Sequence, residues 1–549
     1  VRFLPFAASV IALSLAAAAE PVAVTVDLSR PQGPFPQTTN WFGYDEANYT
    51  TTANGRALLK DLQAAYRAPV HVRAHHLFTS GDGTASFKWS STGIVKLGPD
   101  GQLGFDFTIV DQIFDAWHAA GVTPMVELGF MPKEFSTHPE PYRIEFGSAD
   151  MLTSGAQFPP KDYAQWGLLV RAFVDHLKQR YGEKEVSGWC FEVWNEPDIP
   201  YWHGSGDAYF KLYDYAVAGV RAALPGAKVG GPATTSPRNE HAAAYLQAFL
   251  DHVAKDKSAA DGKAVPLDFI SFHAKGQPEI VDGHVRMGLG KEVADFRAGF
   301  HIIAASPFAK LPIVISEADP EGCAACSAPA NAYRNTPLYP AYTAAAHKAM
   351  LDLAAREKVN LQGMLSWSFE FENAGIFAGQ RALATEGIGK PVLGFFRMAA
   401  QMDGRRVAAT STAEPAADAI IADGVRGAPE VGVLAAKTDH RATVMLWNYH
   451  DDETAAAPSA VNVTVAGVPR KKIRVSEFRI DGAHSNAYAL WQAMGSPQRP
   501  TAAQLAQLRE AGGKLDLAEP AHDVAVTGGS VELPVSLPRQ SVSLFVLDW

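Results

Sequence analysis

The segment Trp189–Asp198, WCFEVWNEPD, is an apolar, β-prone run that stops abruptly at Asn195, Glu196, Pro197 and Asp198. A strand that ends in a carboxylate holds that carboxylate on a rigid mount. Seven other runs of the same kind flank it. They are TNWFGYD (39–45), VHVRAH (70–75), VTPMVELGF (122–130), KVGGPA (228–233), LDFISFHA (267–274), LPIVISEA (311–318) and LQGMLSWSF (361–369). Helical stretches separate them. The clearest has Trp166, Leu169, Val170, Phe173, Val174, Leu177 and Tyr181 at helical spacing, with Gly182 as its stop. Eight strands alternating with helices predict an α/β fold, a (β/α)8 TIM barrel over residues 36–400.

After about residue 405 the pattern changes to strands with turns, in GVLAAKTDHRATVMLWNYH (432–450), AVNVTVAGV (460–468), KIRVSEFRI (472–480), GGSVELPVSL (528–537) and QSVSLFVLDW (540–549). They predict a C-terminal β-sandwich over 401–549. One helix interrupts it, with Thr501 and Gln504 spaced as a capping box. The alternating run PVAVTVDLS predicts a strand over 20–35 that crosses over to join the sandwich.

Residues 1–19 read as an export signal. Arg2 precedes the apolar stretch FLPFAASVIALSLAAAA, and Ala17 and Ala19 stand as an A-x-A cleavage site before Glu20. The expected location is secreted or periplasmic, with no membrane partner after cleavage. The net charge of −10 is spread along the chain and argues against a nucleic-acid partner. Of three cysteines, Cys190 lies in a strand, and Cys323 and Cys326 are a local disulfide or two unpaired thiols. A zinc site needs about four ligands, and no second cysteine pair exists. No metal or cofactor is expected.

Chemistry in such a barrel sits where the strands end. Glu196 ends the fourth strand and Glu317 the seventh, so both face one pocket from across the mouth. Paired carboxylates suit glycoside hydrolysis, one giving a proton to the leaving oxygen and the other attacking the anomeric carbon. Asn195 is placed to donate to the sugar 2-hydroxyl. The expected partner is an oligosaccharide or glycoside.

The motifs VRAH, VELGFMP, FEVWNEPD, KVGGPA, DFISFH and HSNAYALWQAMGSPQRPT together resemble glycoside hydrolase family 39, the family of β-xylosidases and α-L-iduronidases. The resemblance runs from about residue 35 to the end. It implies retaining chemistry without a cofactor, with Glu196 as general acid/base and Glu317 as nucleophile. His75 and His273 match sugar- or nucleophile-contacting histidines, and Arg73 orients carboxylates near the barrel floor. Trp367, at the end of the eighth strand, is a candidate stacking face. The xylosidase branch usually shows H-x-Y after the sixth strand and TEW or TEF at the seventh. This chain has Lys275 in HAKG and Ala318 in SEADP, similar to the iduronidase branch. In that branch the lysine holds the substrate carboxylate, assisted by an arginine that matches Arg381, and Glu372 matches an acidic ligand of a sugar hydroxyl. The expectation is an exported retaining exo-glycosidase, a β-xylosidase first. The alternatives are an iduronidase-like hydrolase of an acidic or rare sugar and a non-catalytic carbohydrate-binding barrel.

Overall fold

The computed structural model describes residues 20–84, 87–143, 146–147, 153–327, 329–428 and 430–549. The leader-like segment 1–19 lies outside the described residues.

The eight barrel strands, in chain order, are Trp41–Tyr44, His71–Ala74, Thr123–Leu128, Cys190–Val193, Lys228–Thr234, Phe269–Lys275, Pro312–Asp319 and Asn360–Met364. They neighbour one another in that same order, all parallel. The first and last strands meet through Gly43 N–H donating to the Ser366 carbonyl (2.9 Å) and Ser366 N–H to the Trp41 carbonyl (3.1 Å). That closes the barrel. Helices follow the strands on the outside, for example Tyr163–Tyr181. This helix starts at Asp162, whose carboxylate accepts from Ala164 N–H (2.8 Å), and stops at Gly182 with φ 90°. Its buried face is Trp166, Leu169, Val170, Phe173, Val174 and Leu177, the apolar stripe that packs on the strands.

The strand period of two puts alternate residues inside the barrel and stacks them in layers. At the bottom are apolar Trp41, Met125, Phe269 and Val314, one packed cluster. Above them the interior turns ionic. Arg73, Glu127 and Glu192 are fully buried, Glu127 two residues beyond Met125 on the same strand. Higher still are His75, Asn195, His273 and Glu317. The core of the barrel is therefore oil below and charge above, and the charge is where the strands end.

The second domain is one sheet of ten strands. Seven of them are Arg405–Ser411, Glu430–Lys437, Arg441–Tyr449, Ser459–Ala466, Lys472–Ile480, Ser530–Leu537 and Ser541–Asp548. Val22–Pro34 lies between Arg405–Ser411, to which it runs antiparallel, and Ser459–Ala466, to which it runs parallel. This inserted strand joins the two faces of the predicted sandwich into a single curled sheet. Val24, Val26 and Leu28 alternate into a valine-rich interior with Val433, Val444, Val463 and Leu533. A sheet this wide curls because its twist accumulates from strand to strand. The helix Ala502–Gly512 begins at a capping box, with Thr501 N–H donating to Gln504 Oε1 (2.9 Å) and Gln504 N–H to Thr501 Oγ1 (3.3 Å). Arg286, after the sixth barrel strand, forms a two-point ion pair with Asp452 (2.5 and 3.2 Å), in the loop after Arg441–Tyr449 of the second domain, which ties the domains together.

Candidate active site

The fourth strand ends in a backbone kink. Trp194 has φ 70° and Glu196 φ 45°, a region that side chains other than glycine seldom occupy. The surroundings hold the kink in place. Trp194 is fully buried and donates its indole N–H to the Tyr201 carbonyl (3.0 Å), and Glu196 N–H donates to the Ala233 carbonyl (3.0 Å) of the fifth strand. Such strain persists only where neighbours enforce it, and here it swings the Glu196 carboxylate into the barrel mouth.

Glu317 lies opposite, and His273 stands between the two. His273 Nδ1 is 2.8 Å from Glu196 Oε1 and 3.8 Å from Glu317 Oε1. One oxygen of Glu196, one of Glu317 and a ring nitrogen of His273 all lie within 4.8 Å of one another. So close an approach is on the side of the roughly 5–5.5 Å of retaining glycosidases and short of the roughly 6.5–9.5 Å of inverting ones. Among the described residues this trio is also the one set of His, Cys, Asp or Glu side chains close enough to hold a metal ion.

The two carboxylates have different neighbours. Glu317 receives Lys275 Nζ at 2.7 Å and has Arg73 Nη1 at 3.5 Å. Burial would raise its carboxyl, but His273, Lys275 and Arg73 prevail and hold it well below the ordinary carboxylate range. Glu196 has no lysine or arginine partner among the described residues, and its side chain is the more exposed, 15% against 7%. One carboxylate is thus kept ionised by fixed cations, while the other has no lysine or arginine beside it among the described residues.

Arg73 organises the floor. It donates through Nε to Glu192 (2.5 Å) and through Nη2 to the Asn195 side-chain oxygen (2.9 Å), and Nη2 also pairs with Glu127 (2.8 Å). With its oxygen so held, Asn195 has its amide N–H groups without a partner among the described residues. His75 Nδ1 lies 2.7 Å from the same Glu127 oxygen. Burial lowers His75 to about 3, so the ring is neutral. Burial also pushes Glu127 well above the ordinary carboxylate range. Trp367 is buried in the interior, with the Arg73 guanidinium 5.0 Å over its ring and His75 at 4.2 Å. Gly43 makes room for it, since a Cβ there would come within 2.3 Å of the indole.

Lys275 and Arg381 differ most from expectation. The iduronidase-like pattern implies two cations waiting for a substrate carboxylate. In the structure Asp319 sits between them, with its Oδ2 2.6 Å from Lys275 Nζ and 3.3 Å from Arg381 Nη2. Arg381 is completely buried and also pairs with Glu321 (2.5 Å). Both cations already have carboxylate partners. Glu372 is half-buried at the rim, its N–H donating to Glu46 Oε2 (2.7 Å). The SEADP motif itself carries the signal, because Asp319 follows Glu317 by two on one strand and so shares its face. Cys323 and Cys326 are joined in a disulfide in the loop that follows, and Cys190 is a free thiol.

A consequence concerns pH. Lys275→Met removes a charge-assisted hydrogen bond from Glu317, typically worth about 1.5–3 kcal/mol. The Glu317 carboxyl then rises toward its ordinary range. The acid limb of kcat/KM, where Glu317 gains a proton and activity falls, is expected to move up by roughly one to two pH units. A pH profile of the variant beside the wild type measures it.

A parallel barrel with two such carboxylates at its C-terminal mouth defines a retaining glycoside hydrolase. The sequence profile described as Glycosyl hydrolases family 39 matches residues 57–526, and the chain belongs to that family. It is similar to a beta-xylosidase of Geobacillus stearothermophilus, 25% identical over 471 residues, covering 82% of each chain. It is similar to the alpha-L-iduronidase of Mus musculus, 26% identical over 92% of this chain and 78% of the relative. The crystal structure of a monomeric beta-xylosidase from Caulobacter crescentus CB15 superposes with a TM-score of 0.74 at 25% identity, covering 96% of this chain and 99% of that one.

Proposed function

We propose that the protein is an exported exo-acting β-xylosidase, with Glu196 as general acid/base and Glu317 as nucleophile. The observation that carries the roles is the asymmetry of charge, with Glu317 clamped by Lys275 and Arg73 and Glu196 free of fixed cations. In the first step Glu196 protonates the departing oxygen while Glu317 attacks the anomeric carbon. In the second, Glu196 takes a proton from water, which displaces Glu317. Asn195 donates to the 2-hydroxyl, a bond that strengthens as charge develops in the transition state.

Lys275 and Arg381 are neutralised by Asp319, Glu317 and Glu321. A uronate would have to displace those partners, whereas a neutral xyloside need not. The named beta-xylosidases of Geobacillus stearothermophilus and Caldicellulosiruptor saccharolyticus support the same reading. The second reading, an iduronidase-like hydrolase, keeps the support of Lys275 in HAKG and of the alpha-L-iduronidase relatives. Export is supported by the leader-like residues 1–19 and by the Cys323–Cys326 disulfide, a bond that persists in oxidising compartments. No described helix is long and apolar enough to cross a membrane.

The deciding measurement is kcat/KM on paired aryl β-xyloside and aryl α-L-iduronide. Xyloside is expected to be preferred by on the order of 10²-fold or more, the cost of leaving a carboxylate without a free cation. Preference for the iduronide would overturn the xylosidase reading, and Lys275→Ala should then hurt the iduronide most.

A further inference from the structure

We propose that Asp45 and Lys88 form a hydroxyl-reading pair in the innermost sugar subsite. The proposal deepens the glycosidase reading above and rests on it.

Asp45 follows the first barrel strand, and Lys88 belongs to the long loop after the second. Their side chains are 2% and 9% exposed. Lys88 Nζ reaches Asp45 Oδ1 at 3.3 Å, a long contact for an ion pair. The other oxygen, Asp45 Oδ2, is buried with no hydrogen-bond partner among the described residues. The ammonium has three N–H donors, and among the described residues Asp45 is its one hydrogen-bond acceptor. Rings of Trp89 and Phe146 flank it at 5.9 and 5.6 Å. Leaving a buried carboxylate oxygen unpaired is costly, and a ligand hydroxyl would remove that cost. Here one acceptor and spare donors remain open side by side.

The pair also faces the right place. Asp45 Oδ1 is 4.0 Å from His75 Nε2, which is 3.9 Å from Glu317 Oε1. Asp45 and Lys88 therefore lie across His75 from the carboxylate that meets the anomeric carbon, where the far side of a bound pyranose falls. Tyr201, stacked on Phe130 at 5.7 Å, has its ring 6.4 Å from that of His75. The geometry is enforced from outside the pocket. Lys88 has φ 66°, and its N–H is held by the carboxylate of Glu46, whose other oxygen holds Glu372 N–H.

A hydroxyl fits this pair because it donates and accepts at once. Its proton goes to Asp45 Oδ2 and its lone pair takes a Lys88 N–H. A hydrogen atom in that position satisfies neither group, and a carboxylate would meet Asp45 as a like charge. The pair thus selects for a neutral sugar that carries a hydroxyl away from the reacting carbon.

The test crosses Asp45→Asn and Lys88→Met with an aryl β-xyloside and its 3-deoxy and 4-deoxy analogues. Each variant is expected to lose on the order of 10²-fold in kcat/KM on the parent sugar, and roughly threefold or less on the analogue that lacks the gripped hydroxyl. Equal losses on all three sugars would overturn the proposal and make the pair structural. Should Lys88→Met fail to fold, Lys88→Arg keeps the charge while displacing the donor. It must then shrink the parent-to-deoxy ratio, and an unchanged ratio counts against the pair. If the wild type does not cleave the xyloside, the xylosidase reading falls. The same cycle on the aryl glycoside it does cleave, with that sugar's deoxy analogues, then decides the pair.

Discussion

Glu317→Ala is expected to abolish turnover of an aryl xyloside, with a loss on the order of 10⁵-fold or more, because no glycosyl-enzyme can form. The substitution also leaves Lys275 and Arg73 facing an empty anionic position, 2.7 and 3.5 Å from where the carboxylate oxygens lie. Azide is small and anionic and suits that position. Added azide should restore part of the rate on a substrate with a good leaving group, giving a glycosyl azide of configuration opposite to the substrate. In the wild type, a 2-fluoro glycoside should label Glu317. A label on any other carboxylate would sink the assignment.

Glu196→Gln is expected to separate substrates by leaving group. The amide keeps the shape but cannot give a proton. General acid catalysis typically contributes about 10²–10⁴-fold, so unactivated xylosides should lose that much in the first step. Aryl substrates with acidic phenols need no proton there and should lose far less in kcat/KM. Their kcat should still fall, because the second step needs a base to activate water. Azide should relieve that step, and here the product keeps the substrate's configuration. The contrast between the two azide products distinguishes the carboxylates chemically. An equal loss on activated and unactivated substrates would count against Glu196 as the acid.

The barrel was legible because its signals are local. Each strand is a short apolar run, and Glu196 and Glu317 stand at the ends of two of them. The helix Tyr163–Tyr181 could be read from its stripe and its glycine stop. Glu127 and Glu192 were harder. A carboxylate inside an apolar strand is unexplained until the register across strands is known. In the sheet Glu127 pairs directly with Glu192, and Arg73 reaches both from the second strand. That is a non-local fact. Lys275 and Arg381 show the same limit from the other side. The residue types suggest two waiting cations, and only the fold shows that Asp319 lies between them. Asp45 and Lys88 meet through a long loop whose path no periodicity announces.

The position of Val22–Pro34 sets the order in which the chain can finish. This strand is synthesised before the whole barrel, yet both of its partners, Arg405–Ser411 and Ser459–Ala466, come after it. About 370 residues separate it from the first of them, which is tens of seconds of translation at roughly 5–20 residues per second. Throughout that time Val24, Val26 and Leu28 have no sheet to enter. The barrel can assemble from neighbours in sequence, but the clasp that unites the second domain can close only once Ser459–Ala466 has been made. Severing the barrel from the sheet would therefore not yield two tidy halves. It would leave an apolar ribbon on one piece and a split, open-edged sheet on the other, both prone to pairing with the wrong chain.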